Sequence, residues 1–184
     1  SFTPQGLANV LWAYATMGHS APALFEEAAV VSMRRLDEFD PQALANVAWS
    51  CAKACHSDAR LFGALGRAAE HHVDAFNTQD LVNTAWAFAK LGVPGGSLLA
   101  ALARSMRRTS LDELSAAHLA RIAWSFSKSG EQDAQLFEAL ARSAEKRLGT
   151  FDAADLANLA WAFANAGQLD ASLFDSFALA AEQK

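Results

Sequence analysis

One twelve-residue phrase recurs five times in the sequence and organises the whole chain. It reads LANVLWAYATMG at residues 7–18 and LVNTAWAFAKLG at 81–92. Every tryptophan of the chain stands at the same place in this phrase, and the spacings between successive tryptophans are 37, 37, 38 and 37 residues. The five positions are Trp12, Trp49, Trp86, Trp124 and Trp161. A period of this length predicts a repeat protein in which each repeat is one small supersecondary unit.

Each copy of the phrase carries the end signals of an α-helix. Nine positions before the tryptophan stands a residue type that caps helix N-termini, namely Thr3, Asp40, Asn77, Ser115 and Asp152. Six positions after it, four copies have a glycine, which suits a left-handed helix end, and the second copy has Cys55. A second segment with helical spacing of Leu and Phe follows in every copy. Each repeat is therefore predicted to be an antiparallel helix pair, joined to the next by two to four residues.

A stack of such pairs is the predicted fold, because one pair cannot bury its apolar faces alone. The prediction is all-α, a right-handed α-solenoid of five 37–38-residue helix-turn-helix repeats. The repeats are approximately 2–38, 39–75, 76–113, 114–150 and 151–184, in one array that opens on a repeat boundary, as a piece of a longer protein would. The tryptophans are predicted to be core residues that pack each repeat on the next.

Composition and motifs argue against several classes of function. The net charge of −5 disfavours indiscriminate polyanion binding by the whole surface. No apolar run has the length of a membrane span. Cys51, Cys55 and His56 supply only three candidate metal ligands, fewer than a structural zinc site needs. No nucleophile–base pair or phosphate-binding loop is visible, so no catalytic residue, cofactor or metal site is predicted, and the chain is expected not to be an enzyme.

A polar stripe runs along the first helix of every repeat. Three positions before the tryptophan stand Asn9, Asn46, Asn83, Arg121 and Asn158. Four positions before these, the first three repeats have Gln5, Gln42 and Gln79. Seven positions after them, the middle three repeats have Lys53, Lys90 and Lys128. Offsets of four and seven keep side chains on one side of a helix, so each first helix presents one polar line.

This stripe has two interpretations. In the first, the asparagines are structural, and each amide bonds the backbone of the neighbouring repeat and fixes the stacking. In the second, amides and lysines face a bound chain. The second helices add another basic row, composed of Arg67, Arg104, Arg108, Arg142 and Lys146. Part of this row is explained by the helix dipole, yet both rows are strongest in the middle repeats, where a partner with regularly spaced negative charge would bind best.

The repeated phrase also resembles a known family. The pattern F-x-P-Q-x-L-A-N-x-x-W-A-x-A, intact at residues 2–15 and nearly so at 39–52, is similar to the octotricopeptide repeats of algal organelles. Related degenerate repeats accompany RAP domains and FAST-kinase-like mitochondrial proteins. The fourth repeat departs most, because Arg121 replaces the asparagine. The resemblance implies a module that binds single-stranded RNA in a chloroplast or mitochondrion and acts on transcript maturation, stability or translation.

The resemblance also implies which residues contact the RNA. Repeat proteins that read RNA use two or three side chains per base, and here the Gln, Asn and Lys positions of the polar stripe, with Arg121, have that format. Discrimination between bases is expected at variable positions beside the stripe: Asp80, His118 and Asp155. The alternative function is a protein-interaction or architectural scaffold within an organellar assembly, which the acidic ends of the chain favour.

Overall fold

First and second helices alternate along the whole described chain. The computed structural model describes residues 2–131 and 133–183, and these contain ten α-helices and no β-strand. The helices are α1 (Pro4–Met17), α2 (Pro22–Met33), α3 (Pro41–Lys53), α4 (Ala59–His72), α5 (Thr78–Leu91), α6 (Gly96–Arg108), α7 (Ala116–Ser129), α8 (Ala134–Glu145), α9 (Ala153–Asn165) and α10 (Ala171–Ala181). The all-α prediction is confirmed. No helix of these residues combines the length and apolarity that crossing a membrane requires.

The helices begin at the capping residues that the sequence predicts. In each odd-numbered helix a side-chain oxygen accepts a hydrogen bond from a backbone N–H of the first turn. These caps are Thr3, Asp40, Asn77, Ser115 and Asp152. Three even-numbered helices are capped in the same way, by Asp58, Asp133 and Asp170. Local sequence therefore determines where most helices start.

The first helices end in a left-handed residue, as the glycine pattern predicts. Gly18, Gly92 and Gly130 are the C-caps of α1, α5 and α7, with φ between 64° and 75°. After α3 the left-handed residue is Cys55, with φ 56°. A β-carbon makes this conformation unfavourable by roughly 1–2 kcal/mol, so the second repeat contains a strained helix end.

Replacing Cys55 by glycine is expected to raise the free energy of unfolding by roughly 0.5–1 kcal/mol, because relief of strain exceeds the added entropy of the unfolded chain. Cys55 is exposed, so little packing is lost. Urea unfolding followed by circular dichroism measures the change. The control is Ala54→Gly, one residue earlier with φ −80°, where glycine is expected to lower stability. A Cys55→Gly variant less stable than the wild type would contradict the strain argument.

The connections between repeats are longer than predicted. Segments 34–40, 109–115 and 146–152 separate a second helix from the next first helix, and each contains one turn of 3-10 helix, as does segment 73–77. The prediction of two to four residues was wrong because apolar residues with helical spacing, such as Leu111, continue through the 3-10 turn. Leu111 is buried there and is therefore still a core residue.

The helices form two compact units, residues 1–102 and 103–184, called unit 1 and unit 2. In unit 1, α3 packs against both α1 and α5, and α2 contacts α4. In unit 2, α7 packs against α9, and α10 contacts α8 and α9. Within each unit, first helices stack on first helices and second helices contact second helices, which is the arrangement of a helical solenoid. The right-handed twist, the count of five repeats and the single array remain predictions.

The core of each unit lies between its first and second helices. In unit 1, the ring of Phe62 on α4 meets that of Phe88 on α5 edge to face, with centroids 5.2 Å apart. In unit 2, Phe137 on α8 and Phe163 on α9 make the same contact at 5.3 Å. All four rings are buried. This layer fixes which side of each first helix faces inward.

Candidate nucleic-acid interface

The tryptophans lie at the surface of the molecule. Trp12 is 46% exposed and Trp161 is 45% exposed, and the other three tryptophans are half-buried. The prediction that the tryptophans are core residues was therefore wrong, although the tryptophans of unit 1 do pack against one another between successive first helices. An α-helix turns about 100° per residue, so the Gln, Asn, Trp and Lys positions, separated by four, three and four residues, share an arc of roughly 60°. The tryptophan belongs to the polar stripe, and the core uses the positions beside it.

We call this surface the tryptophan face. In unit 1 it comprises Gln5, Asn9, Trp12 and Thr16 of α1, Gln42, Asn46, Trp49 and Lys53 of α3, and Gln79, Asn83, Trp86 and Lys90 of α5. In unit 2 it comprises Ala117, Arg121, Trp124 and Lys128 of α7, and Ala154, Asn158, Trp161 and Asn165 of α9. Each unit thus carries the residues predicted to contact RNA together with its tryptophans.

Packing leaves the middle of α3, α5 and α7 accessible only on this face. Among residues 80–89 of α5, every residue except Trp86 is buried. Among residues 43–52 of α3, only Asn46 and Trp49 are not buried, and among residues 119–127 of α7 only Arg121 and Trp124 are not. Small residues make this possible, because they let neighbouring first helices approach closely. A ligand that contacts these segments must therefore contact the tryptophan face.

The indoles of unit 1 form one aromatic strip. The ring centroids of Trp12 and Trp49 are 6.4 Å apart, and those of Trp49 and Trp86 are 6.2 Å apart. The ring planes are tilted by 30° and 36°. These separations lie within the range of favourable aromatic pairs. Trp49 is the central ring, since it contacts both of the others.

The amides on this face pair along their own helix. Gln5 Nε2 donates to Asn9 Oδ1 at 3.1 Å, and Gln79 Nε2 donates to Asn83 Oδ1 at 2.8 Å. In the described part of the chain, no hydrogen bond joins either asparagine to the backbone of a neighbouring repeat. The bond to a neighbouring repeat that the structural interpretation predicts is therefore not found for either asparagine. Asn83 is nevertheless buried, and the roles of both asparagines remain predictions. Another amide does link two first helices. Asn165 stands on α9 where other repeats have the lysine of the stripe, and its Nδ2 donates to the backbone carbonyl and the hydroxyl oxygen of Ser127 on α7.

The tryptophan face is basic or neutral on an acidic chain. Lys53, Lys90 and Lys128 are exposed, and none of them takes part in the ion pairs found in residues 2–131 and 133–183. No position of the face is acidic in either unit, although the chain has 20 Asp and Glu residues and a net charge of −5. The absence of carboxylates from these positions favours an anionic ligand.

The second basic row is partly neutralised by carboxylates. Arg142 pairs with Glu138 at 2.8 Å, and Lys146 pairs with Asp112. The hydrogen bond from Lys146 is the main reason why the pKa of Asp112 lies below its ordinary value. The other members, Arg67, Arg104 and Arg108, are exposed on α4 and α6. This row is a weaker candidate for anion binding than the lysines of the tryptophan face.

Asp80 does not contribute to base discrimination. It is only 4% exposed, and its carboxylate accepts a hydrogen bond from the Asn77 backbone N–H in a capping box. Burial raises its pKa above the ordinary value, against the opposing effect of that hydrogen bond. The prediction for Asp80 was therefore wrong, because a buried carboxylate that completes a helix cap cannot also contact a base.

His118 and Asp155, the other two candidates for base discrimination, lie in unit 2. Both are half-buried. Burial is the main reason why the pKa of His118 is lowered, and Arg121 lowers it further. Burial is also the main reason why the pKa of Asp155 is raised, while Arg121 opposes that shift. Their role in base discrimination remains a prediction.

Cys51, which the sequence analysis considered as a metal ligand, is not accessible to solvent. It is buried in α3, and burial, with a smaller contribution from Asp58, raises the pKa of its thiol to about 12. Its side chain is therefore a neutral core group at physiological pH. Its partner in the sequence pattern, Cys55, is exposed and acts as the left-handed helix end described above.

The fold and this surface together define a helical-repeat protein with an exposed aromatic and basic face. Comparison with known protein families identifies the family to which this helical-repeat protein belongs. Residues 2–182 match the family described as RNA-editing substrate-binding complex 6 protein, RESC6, and the chain belongs to this family. No individual curated protein matches the sequence. The resemblance to octotricopeptide repeats stays a prediction.

Proposed function

We propose that this chain is a non-enzymatic module that binds single-stranded RNA on the tryptophan face of each unit. One observation carries the proposal. On a chain with a net charge of −5, the positions of the tryptophan face carry indoles, amides and basic side chains and no carboxylate. Proteins that bind single strands combine positive charge along the backbone path with aromatic side chains on which bases stack.

Each residue type on the face has a role in such a complex. An exposed indole stacks on a base, a contact that contributes about 1–3 kcal/mol per base. Asparagine, glutamine and arginine hydrogen-bond base edges that an unpaired strand exposes. Lysine neutralises phosphates and releases counterions. Duplex RNA offers these groups poorly, because its bases are already stacked and paired. The proposed ligand is therefore a single strand.

Membership of the RESC6 family supports this proposal. The family's name refers to a complex that binds the substrates of RNA editing, which favours RNA and protein partners for this chain and a role in transcript maturation. RNA-editing complexes are mitochondrial in kinetoplastids, so a mitochondrial location fits the family, and the chloroplast alternative gains no support. One base per repeat, as in the octotricopeptide interpretation, is the finer form of the proposal.

A scaffold role is the second candidate. Tryptophan and arginine are enriched at protein interfaces, and the family name denotes a complex. In this alternative the tryptophan face binds a protein subunit, and the lysines set the orientation of that subunit through their charge.

Tryptophan emission tests the proposal. All five tryptophans lie on the tryptophan face, so the emission reports on this surface alone. Addition of a randomised single-stranded RNA is expected to quench the emission in a saturable way, because bases stack on the indoles. The control is a duplex of the same length, which is expected to quench less. RNA binding detected by anisotropy without any change in emission would place the site elsewhere, and absence of binding would favour the scaffold role.

A further inference from the structure

Two arginines and two hydroxyl residues follow one another where α6 ends. The sequence there is Arg107-Arg108-Thr109-Ser110. Ser110 is the only serine or threonine of the chain with an arginine both two and three positions before it. Protein kinases select their substrates partly by the charges around the acceptor hydroxyl, and those with carboxylates in the substrate groove bind arginines at these two positions. Ser110 therefore stands in the charge pattern of a kinase substrate.

The structure distinguishes the two hydroxyl residues of this segment. Ser110 is exposed, its backbone is extended, with φ −76° and ψ 96°, and its side chain caps no helix. Thr109 is half-buried, and its Oγ1 donates to the Met106 carbonyl oxygen at 2.7 Å. Exposed connecting segments are the parts of a folded chain that another protein reaches most easily. Ser110 is therefore the accessible acceptor of the two.

The two arginines before Ser110 differ in their surroundings. Arg108 is exposed. Arg107 is half-buried, and its Nη1 donates to both oxygens of the Asp133 carboxylate, at 2.9 and 2.8 Å. A kinase that binds Arg107 must replace this contact with carboxylates of its own, and only the last turn of α6 has to open for the exchange.

A cavity of about 230 Å³ within unit 2 lies beside Ser110, and residues of α8 line its other side. Ser110 shares the lining with Arg142, Ser143 and Lys146. Ser143 is only 2% exposed, and its Oγ has no hydrogen-bond partner among the residues that the structure describes. A buried hydroxyl without a partner is unfavourable, so an oxygen-rich group in this cavity would supply the hydrogen bond that Ser143 lacks.

The charges around this cavity favour a phosphate group on Ser110. Lys146 pairs with Asp112, and Arg142 pairs with Glu138. Both pairs are exposed, and exposed ion pairs contribute little stability, so both cations are available to a stronger acceptor. Asp112 and Glu113 follow Ser110 closely in the sequence and oppose a phosphate. A dianionic phosphate nevertheless attracts Arg142 and Lys146 more strongly than one carboxylate does.

We propose that Ser110 is a phosphorylation site for a protein kinase that recognises basic substrates, and that its phosphate binds Arg142 and Lys146 of α8. Ser110 Oγ attacks the γ-phosphorus of ATP. The new bond from oxygen to phosphorus forms as the bond from that phosphorus to the bridging oxygen of ADP breaks, and the hydroxyl proton passes to the catalytic aspartate of the kinase. The bound phosphate forms charge-assisted hydrogen bonds with the two cations. This inference does not depend on RNA binding.

Phosphorylation of the whole chain in vitro tests the acceptor. Incubation with ATP and the catalytic subunit of cAMP-dependent protein kinase is expected to add one phosphoryl group, which mass spectrometry of proteolytic peptides locates at Ser110. Ser110→Ala is expected to gain none. The matched control is Thr109→Ala, which keeps the arginine pattern and is expected to be phosphorylated at Ser110. A folded wild type that gains no phosphoryl group, or a Ser110→Ala protein that gains as much as the wild type, would overturn the proposal.

Phosphorus-31 NMR of the product tests where the phosphate binds. The second pKa of a phosphoserine is about 6, and neighbouring cations lower it because they favour the dianion. This pKa is expected to be lower in the phosphorylated protein than in a phosphopeptide of residues 104–113, which contains the same carboxylates but lacks α8. Arg142→Ala with Lys146→Ala, both exposed positions, is expected to shift the pKa towards that of the peptide. Equal pKa values in the wild-type protein and the peptide would contradict binding of the phosphate by α8.

Discussion

Replacing Trp49 by alanine is expected to weaken the binding of single-stranded RNA by roughly 5- to 150-fold, the equivalent of one lost base stack. Trp49 is the central ring of the unit 1 strip, in contact with Trp12 and Trp86. Its loss removes one stacking surface and separates the two others. The dissociation constant from fluorescence anisotropy of a labelled single strand measures the effect.

Two further variants separate stacking from general loss of aromatic surface. Trp49→Phe keeps a smaller ring, and its affinity for the single strand is expected to lie between those of the wild type and Trp49→Ala. Phe2→Ala removes an aromatic side chain that is 60% exposed but lies off the tryptophan face, and it is expected to bind RNA like the wild type. A folded Trp49→Ala protein with wild-type affinity would show that bases do not stack on this face.

The helix pattern was predictable because its determinants are local. A capping side chain bonds the N–H groups of the first turn that follows it, so Thr3 or Asp152 marks a helix start wherever the rest of the chain lies. The left-handed position at a helix end is equally local, and the sequence shows Cys55 in that place. The capping box from Asn77 to Asp80 has a spacing of three residues, a signal in the sequence that identifies Asp80 as structural.

The position of the tryptophans was mispredicted although the sequence contained the information. Size and apolarity favour burial of an indole. The helical spacing places the indole at the surface instead. The tryptophan stands three residues after the asparagine and four before the lysine, so it lies on the same side of the helix as they do. The polar stripe and the tryptophans therefore form one surface. An interpretation based on residue type alone separates them, because indoles are usually buried and amides are usually exposed.

The exposure of equivalent residues depends on tertiary packing, which the repeat phrase does not encode. Asn83 is buried while Asn9 and Asn158 are exposed, although all three occupy the same place in the phrase. The difference arises from the packing around each helix. A repeated sequence therefore predicts the positions of a site better than it predicts how accessible each copy is.

Reversing the charge of Lys53 and Lys90 together is expected to weaken RNA binding to unit 1 by roughly 100-fold or more, because like charges then oppose the phosphates. Both side chains are exposed, so Lys53→Glu with Lys90→Glu is expected to leave the fold intact. The affinity for a labelled single strand, measured at low salt, gives the size of the effect.

The control for this pair is Arg60→Glu with Arg67→Glu, two exposed residues of α4 in the same unit. The change in net charge is identical, but neither residue lies on the tryptophan face. The control is expected to weaken binding much less. An equal loss in both proteins would mean that RNA responds to the total charge of the chain and not to this face.

The central claim is that the tryptophan face binds the backbone and bases of a single strand, and the salt dependence of binding tests it most directly. Each phosphate contact to a single strand contributes about 0.7 to the slope of log affinity against log salt concentration. The wild type is expected to show a slope of at least about 1.4, and the lysine pair variant is expected to lose about that amount. No binding by a folded wild type at low salt, or an unchanged slope in the lysine variant, would contradict the claim.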